Sequence, residues 1–220
     1  VSDKRVALVT GASRGIGFAT ALELAKQNHH VVALARTKAG LEQLDDEITK
    51  AGGSCTLMPY DLLKGDLIEG LGPVLFDKFN RLDVLVGNAG MLGGLVPVAQ
   101  TDPSVWDRVF QLNVTANLRL IRTCDPLLRA SKAGRAVFVS TNLHREAKPF
   151  WGAYVASKAA LEQMVKSYGA EVSHTSVKVS IFNPGAVRTA MRAQAYPGED
   201  PETLPDAGDA AKKIAALCAA

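Results

Sequence analysis

The chain has 220 residues, 47% of them hydrophobic, which is enough for one large core and short for two. Its 25 Lys and Arg against 22 Asp and Glu leave a formal charge of +3 with no basic run or stripe, so nucleic acid is not the expected partner. No apolar stretch approaches the roughly 20 residues of a membrane-spanning helix, no cleavable leader precedes the first strand-like run, and Cys55, Cys124 and Cys218 lack metal-ligand or CxxC spacing, so the composition reads as a cytoplasmic protein with reduced thiols and no metal.

Short valine-rich runs alternate with helix-compatible segments from end to end, without repeat or linker. The first run, VALVT from Val6, leads into a helix from about Gly15 to Asn28. The second, VVALA from Val31, precedes a helix from Gly40 to Ala51. The third, SCTLMP from Ser54, precedes a segment from Leu67 to Phe79 that Gly70, Gly72 and Pro73 interrupt. The fourth, LDVLVGN from Leu82, is followed by a long helix from Pro103 to Ala130, which Thr101 or Asp102 caps. The fifth, RAVFVS from Arg135, precedes a helix from Gly152 to Val172. The sixth, VKVSIFN from Val177, precedes a final helix from Ala207. Runs that are apolar nearly throughout suit strands covered on both faces, so the pattern predicts one doubly wound α/β domain over residues 1–220. Its parallel sheet carries helices on both faces, and its ligand crevice lies beyond the C-terminal strand ends.

At the first such end stands TGASRGIG, from Thr10 to Gly17. Glycines let backbone approach a ligand closely, and the N-terminus of the following helix supplies N–H groups and partial positive charge; together they make a phosphate cradle. Gly11, Gly15 and Gly17 are spaced for that role, with Ser13, Arg14 and Ile16 between them. The second run ends Ala35-Arg36, without the carboxylate that would bond the 2'-hydroxyl of an adenosine ribose and repel a 2'-phosphate. Arg14 and Arg36 both suit a dianionic phosphate, so charge complementarity favours NADP(H).

Tyr154 and Lys158 are four apart in a helical segment and so share one face, about a turn apart. A free phenol with a pKa near 10 is a poor acid or base at neutral pH, and a neighbouring ammonium is expected to lower it.

The spacing GxxxGxG, followed by Asn88-Ala89-Gly90, Tyr154-x-x-x-Lys158 and Pro184-Gly185, closely resembles the short-chain dehydrogenase/reductase superfamily over nearly the whole chain. The segment NPGAVRTAMRAQAYPGEDP is further similar to a branch of uncharacterised bacterial oxidoreductases. The resemblance implies a single Rossmann-like domain in which Asp61 bonds the adenine amino group, with Leu62 beside the ring. Asn88, Ala89 and Gly90 would lie along the adenosine half. Pro184, Gly185 and Val187 would hold the nicotinamide carboxamide, and Thr189 would touch the phosphates or amide. Lys158 would bond the nicotinamide ribose and Tyr154 would pass the proton. Asn113, in QLNVTAN, would bend its helix and hold a water linking Lys158 to solvent.

Three departures stand out. Thr141 occupies the place, thirteen residues before the tyrosine, where the family usually has serine; its hydroxyl offers the same bond to a carbonyl oxygen, with Ser140 expected to point into the sheet. Gly87 replaces a common second asparagine, at the expense of one bond. No seventh strand follows the last helix, so either it is absent from this sequence or the sheet edge is built differently.

The resemblance thus implies an NADPH-dependent carbonyl reductase, or in reverse an alcohol dehydrogenase, acting on a small-molecule carbonyl or alcohol. The other class open to the sequence is a non-catalytic nucleotide-binding regulatory or scaffold protein on the same fold. Residues 185–206 read as a mobile substrate lid, with Arg188 and Arg192 either meeting an anionic substrate or simply solvated, and His144, Phe150 and Trp151 are candidates for the opposite wall. The small and apolar faces of the 103–130 and 152–172 helices suit pairing into a homodimer or homotetramer.

Overall fold

A computed structural model describes residues 4–220, apart from the side chain of His144, so the wall expected of that residue lies outside the described parts. The six runs form six parallel strands: β1 (Arg5–Thr10), β2 (His29–Leu34), β3 (Ser54–Met58), β4 (Val84–Gly87), β5 (Arg135–Val139) and β6 (Lys178–Phe182). They are ordered β3-β2-β1-β4-β5-β6. From β1 the chain winds outward through β2 and β3, then crosses to β4 on the other side of β1 and winds outward again. The two halves diverge at the β1/β4 boundary, where the loops leave in opposite directions and open a crevice.

The helices are α1 (Gly15–Lys26), α2 (Lys38–Lys50), α3 (Gly65–Glu69), α4 (Leu71–Phe79), α5 (Pro103–Phe110), α6 (Ala116–Arg129), α7 (Gly152–Glu171), α8 (Ala190–Ala195) and α9 (Ala207–Leu217). Strand alternation assigns each side chain to a layer. Val6 and Leu8 of β1, with Val32, Leu85 and Phe138, face a layer containing Leu75 of α4, Leu120 of α6 and Leu161 of α7. Ala7 and Val9, with Val31, Ala33, Val84 and Val86, face a layer containing Leu24 of α1, Leu41 and Leu44 of α2 and Ile214 of α9. With both faces covered, the strands need no polar side, which is why they read as continuous apolar runs.

Three predicted helices differ in detail. The interrupted third one divides at Gly70 into α3 and α4. The long fourth one begins where expected, the Asp102 carboxylate accepting the Ser104 N–H at 2.8 Å ahead of Pro103. It then widens into a π turn over Gln111–Thr115 before α6. The last helix is held at its C-terminal end, where carbonyls lack intrahelical partners. Arg5 Nη1 donates to the Cys218 carbonyl and Arg135 Nε to that of Ala219, both at 2.7 Å. Among the described residues β6 is an edge strand, so no seventh strand pairs there.

Of the two buried side-chain hydroxyls without a partner among the described residues, one lies beneath α1. Thr20, on α1, is fully buried and its hydroxyl has no hydrogen-bond partner. Replacing such a group by an apolar isostere removes its desolvation penalty and leaves the packing in place. Thr20→Val should therefore stabilise the protein by about 1 kcal/mol in urea unfolding.

Candidate active site

The crevice is assembled around the end of β1. Thr10 is fully buried, and its hydroxyl donates to the Val86 carbonyl at 3.1 Å while accepting the N–H groups of Asn88 and Ala89, each at 3.0 Å. The Asn88 side-chain amide returns a bond to the Thr10 carbonyl at 2.9 Å. These four bonds fasten the turn after β4 to the turn after β1. Gly11 and Gly15 take left-handed conformations, with φ of +66° and +57°, that other residues rarely adopt. Gly17 is required for space: a methyl group there would run into the Gly11 carbonyl. Arg14 stands in extended backbone as the N-cap of α1 without a side-chain cap, and no acid lies in the first turn, so the positive end of that helix is not neutralised locally.

A cleft of about 730 Å³ runs from this loop across the strand ends. Gly11, Ser13, Arg14, Gly15 and Ile16 line its centre; Arg36, Asp61 and Leu62 line one end. Asn88, Ala89 and Gly90 continue toward the other, where Thr141, Tyr154 and Lys158 stand across from Pro184, Gly185, Val187 and Thr189. Two of the expected cofactor and catalytic residues do not line it. Gly17 is buried beneath the loop, and Asn113 is fully buried behind the wall. Arg14 and Arg36 are exposed, and neither side chain has a hydrogen bond or ion pair among the described residues.

Asn113 sits in the π turn, with its amide committed to protein partners. Its oxygen accepts the Met91 N–H at 2.9 Å, and its nitrogen donates to the Met91 carbonyl at 3.0 Å and the Ser157 hydroxyl at 2.9 Å. The Ser157 hydroxyl in turn donates to the Tyr154 carbonyl at 2.7 Å. Ser157 is thus a positioning residue that sequence reasoning missed. Its only cue was a place between Tyr154 and Lys158, and nothing in that spacing indicates a partner 44 residues away. Thr10, the other residue missed, closes the glycine motif's leading edge.

Lys158 is buried, at 4% exposure, and its ammonium donates to the Val139 carbonyl at 2.8 Å, 6.0 Å from the centre of the Tyr154 ring. Burial pushes Lys158 down to about 8 and Tyr154 up to about 12. The expected lowering of the phenol by its neighbour is therefore corrected: desolvation governs Tyr154 in this arrangement. The Thr141 hydroxyl lines the cleft and accepts the Leu143 N–H at 3.3 Å, while Ser140 is buried with its hydroxyl unpartnered. At Gly87 the space for a side chain is taken by the Phe138 ring and the Asn117 amide.

The 185–206 segment contains regular structure that its composition did not signal. Thr189 caps α8, accepting the Arg192 N–H at 3.2 Å. The Arg192 guanidinium forks onto Glu199 with two bonds of 2.6 Å and lies 3.8 Å from the centre of the Tyr196 ring. Arg188 bonds Glu202 at 2.6 Å and Asp206 at 3.3 Å. Both arginines have their charge met by acids inside the 185–206 segment, in pairs that are partly solvated. The Lys148 ammonium donates to the Tyr196 hydroxyl and lies 4.6 Å from the centre of the Trp151 ring, fastening the 185–206 segment to the start of α7. Trp151 lines the cleft and meets Tyr154 edge-on with ring centres 5.9 Å apart. Phe150 is more than half exposed and lies outside the cleft lining.

Among the described residues no group of His, Cys, Asp and Glu is arranged to hold a metal, and no helix is long and apolar enough to cross a membrane.

Comparison with known proteins places this geometry in a wider set. The family model described as short chain dehydrogenase matches residues 5–200. The uncharacterized oxidoreductase YciK of Escherichia coli K12 is 38% identical over 208 residues, covering 93% of this chain and 82% of its own. A short chain dehydrogenase from Salmonella enterica serovar Typhi superposes with a TM-score of 0.94 at 35% identity, covering 98% of this chain and 90% of its own. One from Escherichia coli CFT073, crystallised with NADPH, superposes with a TM-score of 0.92 at 36% identity, covering 100% and 92%.

The burial of Lys158 has a measurable signature. In an unfolded chain a lysine keeps its proton up to about 10.4, whereas folding here lowers that to about 8. The native state therefore carries a charge-burial penalty at pH 7 that is relieved as pH rises from about 8 toward 10. Relative to Lys158→Met, which cannot titrate, the wild type should gain roughly 2–3 kcal/mol of unfolding free energy between pH 7 and pH 10.5 in urea titrations.

Proposed function

This chain belongs to the short chain dehydrogenase family, and from that premise we propose that it is an NADP(H)-dependent reductase of aldehydes or ketones. The observation that carries the reading is the convergence of Tyr154, Lys158 and Thr141 on one end of a cleft whose other end offers Arg36 and whose centre is a glycine loop, carrying Arg14, at a helix N-terminus.

The residues fit the cofactor. Left-handed Gly11 and Gly15 leave the loop without side chains, the α1 N-terminus lacks a capping carboxylate, and two unpaired arginines flank the end where a 2'-phosphate needs cations. Asp61 lies at that end, with Leu62 beside it, as the adenine contacts of the family resemblance require. When bound, the dinucleotide supplies hydride to a carbonyl carbon or takes it from an alcohol.

Tyr154 Oη passes its proton to the carbonyl oxygen as that oxygen becomes an alkoxide. A phenol raised to about 12 keeps its proton at neutral pH and has it available for donation. The Thr141 Oγ1 hydroxyl donates a hydrogen bond to the same oxygen and holds it toward the tyrosine. Lys158 Nζ, anchored on the Val139 carbonyl, supplies positive charge beside the phenolate that remains. Asn113 and Ser157 act through others, holding the α7 backbone at Tyr154. The Trp151 ring and the lid limit access of water to the reacting end.

Carbonyl-dependent oxidation of NADPH by the purified protein tests the reading. Tyr154→Phe should lower kcat by about 10²- to 10⁴-fold while NADPH affinity stays within about twofold; full turnover in the variant would remove the tyrosine from the chemistry. In equilibrium titrations NADPH should bind about ten- to a hundredfold more tightly than NADH, because the 2'-phosphate gains charge-assisted bonds, and tighter binding of NADH would overturn the cofactor assignment.

A further inference from the structure

The chain enters α7 through a tight turn, Lys148-Pro149-Phe150-Trp151. Proline holds its second position, Phe150 takes left-handed backbone at the third with φ of +72°, and the Trp151 N–H reaches the Lys148 carbonyl at 3.4 Å. Glycine is the usual occupant of such a third position, so phenylalanine there stores strain. What the turn achieves is to set its two ends side by side, with the Lys148 ammonium 4.6 Å from the centre of the Trp151 ring. Trp151 is buried, at 7% exposure, and its edge-on meeting with the Tyr154 ring, 5.9 Å between centres, places it directly beside the proposed proton donor.

The same indole is met from the 185–206 segment. The Tyr196 ring lies 5.7 Å from it, centre to centre, and the Tyr196 hydroxyl accepts from the Lys148 ammonium. Tyr196 is held in turn by the Arg192 guanidinium, 3.8 Å from its ring centre, which Glu199 fixes from the other end. One chain of contacts therefore runs from Glu199 through Arg192, Tyr196 and Trp151 to Tyr154. Among the described residues no side chain hydrogen-bonds the Tyr154 hydroxyl, so its ring is directed by packing. Tyr196 does not line the cleft, whereas Trp151 and Tyr154 do. The stretch of this segment that does line it has its own fastenings, since the Arg188 N–H donates to the Pro205 carbonyl at 3.0 Å and its guanidinium pairs with Glu202 and Asp206.

We propose that Tyr196 is a positioning residue that fixes the direction of the Tyr154 ring through Trp151. The consequence for turnover rests on the reductase reading above, because proton donation needs the phenol aimed at the carbonyl oxygen. Tyr196 touches neither substrate nor cofactor.

Two readouts separate this from a merely structural role. The protein has four tyrosines; with 3-fluorotyrosine at each, fluorine NMR gives Tyr154 a signal identified by its loss in Tyr154→Phe. In Tyr196→Leu that signal should shift and broaden. In Tyr196→Phe, which keeps a ring against Trp151, it should stay near its wild-type position. The Tyr168 signal, from a ring whose hydroxyl bonds Asp125 on α6, should not move in either variant and so reports an intact fold. In turnover with NADPH and benzaldehyde, hexanal or 2,3-butanedione, Tyr196→Leu should lower kcat by about ten- to a hundredfold with NADPH affinity within about twofold, and Tyr196→Phe should restore most of the rate. In a Trp151→Leu background, adding Tyr196→Leu should cost less than about threefold more, because the path between the two tyrosines is already cut. An unmoved Tyr154 signal in Tyr196→Leu overturns the proposal, and so does a fully additive loss in the double variant. A shifted signal with unchanged kcat overturns it too and leaves the reductase reading standing. If none of the carbonyl compounds is reduced, that reading fails by itself, and the fluorine signals still decide whether Tyr196 directs the Tyr154 ring.

Discussion

The reacting end of the cleft depends on a single buried amide. Asn113 is fully buried, and its side chain bonds the N–H and carbonyl of Met91 and the hydroxyl of Ser157, which bonds the Tyr154 carbonyl. A buried donor left without a partner costs about 1–3 kcal/mol, so these bonds are coupled in what they require. The Met91–Gly94 segment, the π turn and the first turn of α7 must take one mutual arrangement for all to form. The π turn is the backbone's concession: a regular α-helix through Gln111–Thr115 would rotate the amide, and the widened turn keeps it facing inward. The wall of α5 and the position of the tyrosine follow from the same constraint.

A second lock, at Thr10, does for the cofactor end what Asn113 does for the reacting end. Its hydroxyl joins the turns after β1 and β4 at the point where the sheet's winding reverses. Between the two locks the chain uses glycines where atoms would collide or where φ is positive, so the cleft floor is mostly backbone. Rigidity at both ends and bare backbone between them are the conditions for holding a long, charged dinucleotide in one register.

The strands were legible because burial on both faces leaves an uninterrupted apolar signature, and the cleft residues because chemistry restricts what can stand at a strand end. What escaped depends on partners distant in sequence. The roles of Ser157 and Thr10 exist only once α5 meets α7 and β1 meets β4. An irregularity at Asn113 was implied by the family resemblance, but its form, a slip in hydrogen bonding that makes a π turn, is not announced by QLNVT, an ordinary helical stretch. In the 185–206 segment, Thr189 caps a short helix whose neighbours are rich in turn formers, and its fixing contacts run from Arg192 to Glu199 and from Arg188 to Asp206, between residues that no single helix spans. The depth of Tyr154 and Lys158 is also absent from their four-residue spacing. Depth, through desolvation, reverses the expected direction for the phenol.

Arginine makes the general point most sharply, since the same side chain serves three purposes here. Arg5 and Arg135 close the carbonyls of the last helix and are structural. Arg188 and Arg192 meet acids within their own loop and give it shape. Arg14, Arg36 and Arg108 line the cleft and bond no acid among the described residues. A guanidinium never gives up its charge at accessible pH, so its role is decided by whether the fold supplies a counter-charge. Where it does, the arginine is spent on the protein. Where it does not, and the side chain stands on a concave wall as Arg14 and Arg36 do, the missing counter-charge describes the ligand: the phosphates of NADP(H).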